Sequence, residues 1–442
     1  MSIIEPTLLS LARATAVSLA TLAVLLIGGP GVQSWSRKAR EITFWIGMAS
    51  LLTPGFAVAL LTYENFVLQP GSLDVSYCIV LFGRYAQTAL LVLWLFPPRM
   101  TDEAVHCLRL AGRMIWQREF RAWGRGLWVA CTVVFLFVFQ EFEIAVTWNM
   151  RAWPVAIFDA QTGGLALRES LRLALLPFAI QAAAFGIVFL ARRPMVPDGS
   201  QEFKVMGRSG LVFFSTIFGW IMFAGFPLLL IGKSLPFLAE AKAPLALAPW
   251  REIFNTIILA SSATLIGWFL AGWIEKRRGM RWLLALPGLF GPLLCGLLLL
   301  ALMQAPPLHL LRDSIFPAVL GLALTLLPYA LLLRFGIGIT RDRAALHTAH
   351  AAGGRRALWQ LDGWPRLCAV LMLFGFGYGD FTINSLLAPP QFTSASVRLL
   401  NLLHYGRSHA LMVMFALAFA VPLVIALLTV LAAQLYPHRR AS

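Results

Sequence analysis

Apolar residues run along this chain in stretches of about 20, each bounded by a short polar, mostly basic segment. Runs of that length predict membrane-spanning helices. Lipid offers no partner to an exposed backbone N–H or C=O, and a helix satisfies its own. Eleven runs can be read, near 11–30, 44–65, 76–98, 127–148, 170–191, 209–232, 253–273, 281–304, 314–334, 366–387 and 409–435. The prediction is an all-α, polytopic integral membrane protein with 11 transmembrane helices. The first run is preceded by Glu5, has no basic leader and is followed by no small-residue cleavage site. It therefore reads as the first membrane helix rather than a signal peptide.

Composition agrees with the pattern. Of 442 residues, 59% are hydrophobic and 13% charged, with mean hydropathy +0.76. A soluble domain is near half apolar and a quarter charged, so a soluble enzyme, a disordered chain and a fibrous protein are excluded. The net charge of +16 points, in a membrane chain, to arginines held on the cytoplasmic side rather than to nucleic acid. With the N-terminus outside, 25 of the 36 lysines and arginines fall in inner segments and 10, Arg13 and Arg151 among them, in outer ones. Arg84 lies inside a helix. This bias over short loops sets the orientation, and the odd helix number leaves the C-terminus inside. The longest inner loops, 99–126 and 335–365, are basic and glycine-containing. They read as short amphipathic helix pairs on the cytoplasmic face, where anionic lipid is one natural contact.

The two halves of the chain read alike. VFLFVFQEFEIAV of the fourth run matches LFGFGYGDFTINS of the tenth, placing Glu141-Phe142 on Asp380-Phe381. The outer loops that follow place Asp159 on Asn401. The preceding basic loops place His106–Gly112 (HCLRLAG) on His347–Gly353 (HTAHAAG). The offsets are 239, 242 and 241 residues. The first run resembles the seventh, and the sixth has no counterpart. Two pseudo-repeats of the same membrane direction are predicted, 1–200 and 201–442, an arrangement that suits a transporter with a central path.

Charge inside the membrane costs about 2.5–3.5 kcal/mol on insertion scales and normally faces protein or water. Arg84, Glu141 and Asp380 are the candidates for a translocation path. Glu143 is two residues from Glu141, so on a continuous helix the two point to different faces. The carboxylates could attract a cation, pair with Arg84, or be solvated at the rim. Tryptophans crowd the helix ends as an interfacial belt. Gly375, Gly377 and Gly379 follow no strand, and close helix packing explains them better than a dinucleotide loop. Gly232-Lys233-Ser234 lacks the first glycine of a phosphate loop, Pro227 standing in its place. No ATP site, catalytic residue, cofactor or metal site is expected. The five scattered cysteines read as small apolar fillers.

The string SLLAPPQFTSASVRLLNLLHYGRSHAL is similar to the last outer loop of fused permeases of binding-protein-dependent ABC importers, with the iron(III)- and thiamine-type branch nearest. ALPGLFGPLLCGLLLLAL, DSIFPAVLGLALTLLPYALLL and ESLRLALL resemble further elements of that branch. The family's inner loop reads Glu-Ala-Ala, then a glycine, then Leu-Pro. Here Ala111-Gly112 and Ala352-Gly353 match its centre, His106 and His347 stand at the glutamate position, and Trp364-Pro365 stands near the Leu-Pro of the second copy. The resemblance implies a permease without its own ATPase activity, in a bacterial cytoplasmic membrane. It implies a cytoplasmic ATP-binding dimer docking on the two inner loops. An external substrate-binding protein would rest on outer loops around Asp159, Asn401, His404 and Tyr405. Iron(III) or another small cation or metabolite is the implied substrate. An ion-coupled secondary transporter using Arg84, Glu141 and Asp380 is the alternative; a membrane-embedded enzyme is weakest, because no nucleophile–base pair is visible.

Overall fold

The computed structural model describes residues 3–33, 55, 59, 73–95, 107, 110–111, 125–190, 210–221, 225, 228–229, 232, 249–276, 281–340, 348, 351, 358–405 and 408–435. All regular structure among them is helical. Among the described residues four helical stretches are long and apolar enough to cross a membrane: Ile4–Ile27, Gly126–Thr147, Pro249–Lys276 and Phe316–Phe335. The run at 44–65 and the centres of both long inner loops lie outside the described residues, so the structure offers no count to set against eleven.

The chain forms two compact units, residues 1–227 and 228–442. In the first, α1 (Ile4–Gln33), α2 (Leu73–Leu95) and α3 (Arg125–Phe139) pack against one another. A short α4 (Glu143–Thr147), α5 (Trp153–Thr162) and the long α6 (Leu167–Leu190) follow, and α6 returns to pack on α3 and α5. Helix α7 (Gly210–Trp220) packs on α1 and α2. That attachment places α7 in the first unit. The Gln87 amide fixes α7 by donating to the Ser215 carbonyl at 2.9 Å and accepting from the Thr216 hydroxyl at 3.0 Å.

The second unit, residues 228–442, is also helical among its described residues. Helices α8 (Pro249–Lys276), α11 (Phe316–Thr340) and α12 (Trp364–Gly379) form the central trio. Helices α9 (Arg281–Leu289) and α10 (Pro292–Met303) pack on α11, and α13 (Thr382–Leu387), α14 (Ala395–His404) and α15 (Ser408–Leu435) close the unit. Small residues let these helices approach closely. A Cβ on Gly288 would lie 2.1 Å from the Leu324 carbonyl oxygen, and one on Gly377 3.1 Å from Leu326. The core that results is leucine and alanine, with Leu322, Ala323, Leu326, Leu327 and Leu373 at its centre.

Among the described residues, three of the predicted spans are interrupted. The run at 281–304 breaks at Phe290-Gly291, where Gly291 has φ +91°, a value that favours glycine, and Pro292 then begins α10. The runs at 127–148 and 366–387 break at Gln140–Phe142 and Asp380-Phe381. Helix α1 begins seven residues before its apolar run, and Arg13 within it is 8% exposed.

Candidate functional site

The interruption after α3 sets the geometry of the first unit's charges. Gln140–Phe142 leave the helix, so Glu141 and Glu143 do not diverge as on a continuous helix, and both reach Arg84 of α2. Arg84 Nη1 lies 3.8 Å from Glu141 Oε1 and Arg84 Nη2 lies 3.9 Å from Glu143 Oε2. The side chains are 12%, 5% and 16% exposed, so little water screens them. The expectation that the two glutamates point to different faces assumed a continuous helix, and the helix is broken between them.

Glu141 is bound at both oxygens. Oε1 accepts the Ile144 N–H at 3.1 Å, and Oε2 accepts the Tyr85 hydroxyl. The first bond satisfies an amide at the start of α4 that has no helical partner. Tyr85 stacks on Phe137 with ring centroids 5.7 Å apart, and the Arg84 guanidinium lies 5.4 Å from the Tyr85 ring centre. Glu143 Oε2 accepts the Gly55 N–H at 2.7 Å. A side chain at 55 would collide with the site: a Cβ there would sit 1.9 Å from Arg84 Nη1. Asn149, at φ +52°, turns the chain out of α4, with the Met150 N–H reaching back to the Ala145 carbonyl at 2.8 Å. Tryptophans 148 and 153 then anchor the turn, donating to the carbonyls of Ala59 and Phe139 at 3.0 and 2.7 Å.

The interruption after α12 uses the same cap. Asp380 Oδ1 accepts the Ile383 N–H at 2.8 Å, the bond Glu141 makes to Ile144. The Asp380 carbonyl accepts from Asn384 Nδ2 at 2.6 Å and from the Ser396 hydroxyl at 2.9 Å. Further ties repeat between the units. The N–H that opens α5, on Trp153, donates to Ser10 of α1 at 3.2 Å; the N–H that opens α14, on Ala395, donates to Thr256 of α8 at 2.8 Å. The carbonyls of Asp159 and Asn401 each accept the N–H four residues on, from Gly163 and Tyr405. Asp159, Asn401 and Tyr405 are exposed, and His404 ends α14.

The counter-charge differs. Among the described residues Asp380 makes no ion pair, and the Tyr378 hydroxyl and Asn384 Oδ1, both in nine-tenths buried residues, have no partner. Arg84 and Glu141 are thus brought together, while Asp380 belongs to the other unit. Of the inner-loop positions, Ala111 is exposed, its N–H bonded to the Cys107 carbonyl at 2.9 Å, and Trp364-Pro365 open α12. His106, Gly112, His347, Ala352 and Gly353 lie outside the described residues.

Sequence reasoning missed Gly55, Tyr85 and a second cluster. Arg13 donates to Asp74 Oδ1 at 2.8 Å and to the Arg151 carbonyl at 2.8 Å, and Arg151 pairs with Glu5 at 2.9 Å. The signals were present as Arg13 and Asp74 near the ends of apolar runs, but their pairing spans 61 residues. No group of three or more metal-ligating side chains occurs among the described residues. No family model, curated protein or solved structure matches the chain.

Proposed function

We propose that this chain is the membrane-spanning permease of an importer, built from two like-oriented pseudo-repeats with 11 spans in all, and driven by a separate ATP-binding dimer. The observation that carries the reading is the repeated carboxylate cap: Glu141 to Ile144 and Asp380 to Ile383, 239 residues apart. Around it stand matching hydroxyl ties to the first helix of each unit. Two bundles of one design, each with a helix interrupted near one end, suit a path that opens alternately to either side. In this reading the inner loops, carrying Gly112 and Gly353, are the levers on which the ATPase subunits push. The exposed outer faces of α5 and α14, with Asp159, Asn401 and Tyr405, receive an external binding protein. The substrate is a small solute, iron(III) being the one the family resemblance favours.

A second reading, an ion-coupled transporter, draws on the first unit: two carboxylates face one guanidinium there, and buried carboxylates of that kind relay protons in pumps.

Two measurements separate them. In proteoliposomes with its ATPase and binding protein, uptake should require ATP and survive collapse of the proton gradient; gradient-driven uptake without ATP would establish the second reading. A bulky charged residue at Gly112 or Gly353 should uncouple ATP hydrolysis from uptake while leaving the protein folded. Impermeant maleimide should label Cys107, which is exposed, and a cysteine placed at Thr348 from the same side of the membrane. Labelling from opposite sides would overturn the like-oriented repeat.

A further inference from the structure

The head of α12 carries a groove that the transport reading does not use. The helix is preceded by a π-turn, Trp359–Gly363, a wider winding that often marks functional positions. The turn sets the Trp359 indole over Gly363, where a Cβ would lie 2.3 Å from the ring. Beside it opens a groove of about 460 Å³ lined by Leu358, Trp359, Asp362, Arg366, Leu367 and Val370. Its wall is apolar except for one pair, Arg366 Nη2 to Asp362 Oδ2 at 2.7 Å. Arg366 is nearly half exposed. A guanidinium has five donors in a fixed fork, so this one ion pair among the described residues leaves most of them for another acceptor.

Arg366 is not an isolated cation. It lies within electrostatic range of Arg334 and Glu275. Arg334 bonds Glu275 at 2.9 Å and lies 4.8 Å from the centre of the Trp268 ring, in space left by Gly272, whose Cβ would meet the guanidinium at 3.1 Å. Lys276 is exposed next to Glu275. In residues 275–281 and 334–366 the sequence holds ten lysines and arginines against three acids. A small soluble anion would leave the leucine and valine wall in water, and an uncharged chain would ignore the arginines. A ligand that answers both has an anionic head and an apolar tail.

We propose that this groove holds an anionic phospholipid of the inner leaflet, its phosphate on Arg366 and its acyl chain along Leu367 and Val370. The site is independent of how transport is energised; it needs only that the head of α12 faces that leaflet.

The test uses the full chain purified in mild detergent, with phosphatidylglycerol and phosphatidylcholine of the same acyl chains compared by native mass spectrometry. Phosphatidylglycerol should be retained preferentially. Arg366→Gln should weaken its retention about fivefold, the effect of one basic residue near a membrane surface, and Arg366→Lys should keep most of it. Val370→Trp, which fills the groove and leaves the charge, should also lower retention. Equal retention of the two lipids, or no change in either Arg366→Gln or Val370→Trp, would overturn the proposal, as would an identical gain in thermal stability from inorganic phosphate alone. In membranes, a photoreactive residue at Leu367 should label phospholipid. Labelling of residues 335–357 of the same chain, or of a second protein, in its place would overturn it too.

Discussion

The two helix interruptions share a cap and differ in what balances it. After α3, Glu141 caps α4 and also faces Arg84, with Tyr85 on its second oxygen. After α12, Asp380 caps α13 with no arginine opposite among the described residues, and a tyrosine hydroxyl and an amide oxygen stay unpartnered nearby. The shared bond explains why acidic-Phe pairs stand at matching positions: an interrupted helix exposes amides, and a carboxylate at the break accepts one. The unshared arginine shows that capping alone does not require a counter-charge. The first break is tied by the ion pairs of Arg84 with Glu141 and Glu143 and by the hydrogen bond from the Gly55 N–H to Glu143. The second is held by hydrogen bonds from Ile383, Asn384 and Ser396, with no ion pair among the described residues.

The largest effect should come from removing the counter-charge. Arg84→Met removes the guanidinium that Glu141 and Glu143 both face and should cost about 3–5 kcal/mol, the usual penalty for breaking a buried pair. Thermal unfolding in detergent reads it; an unchanged Tm would show that the arginine does not hold the first break together. Next, Gly55→Ala drives a methyl into the Arg84 guanidinium and should cost about 1–3 kcal/mol, as overpacking does. The same change at Gly186, whose Cβ would meet nothing within 4 Å, should be close to neutral and serves as the control. Smaller still, Asp380→Ala should cost about 1 kcal/mol through the lost cap.

The sharpest comparison involves the smallest stability change. Asp380→Asn keeps a good cap, since asparagine and aspartate are equally suited to it, so the Tm should hold. If the unpaired carboxylate lies on the path, uptake of a cationic substrate should still fall, and fall further with Glu141→Gln added. Wild-type uptake by the double variant would remove both residues from the path.

Part of this site was legible in the sequence. Glu141 and Asp380 stood out because charge is rare within apolar runs, and the 239-residue offset paired them. Their capping role was not legible. A run of apolar residues reads as one helix whether or not it breaks, and nothing in VFLFVFQEFEIAV other than Gln140 marks the interruption. Glu143 was set aside for that reason, although it meets Arg84 as Glu141 does. Gly55 and Tyr85 were hidden differently. Each is an ordinary residue in an apolar run; the packing of α2 against α3 brings Tyr85 to Glu141, and Gly55 joins the site through the N–H it donates to Glu143.

By itself the sequence determined the helical class and the positions where burial is costly, because apolar run length and charge scarcity are local properties. Only tertiary structure decided where helices break, which helix accompanies which unit, and which buried carboxylate has a cation. Those depend on contacts between segments 30 to 140 residues apart, and a hydrophobicity pattern carries no record of which face meets which.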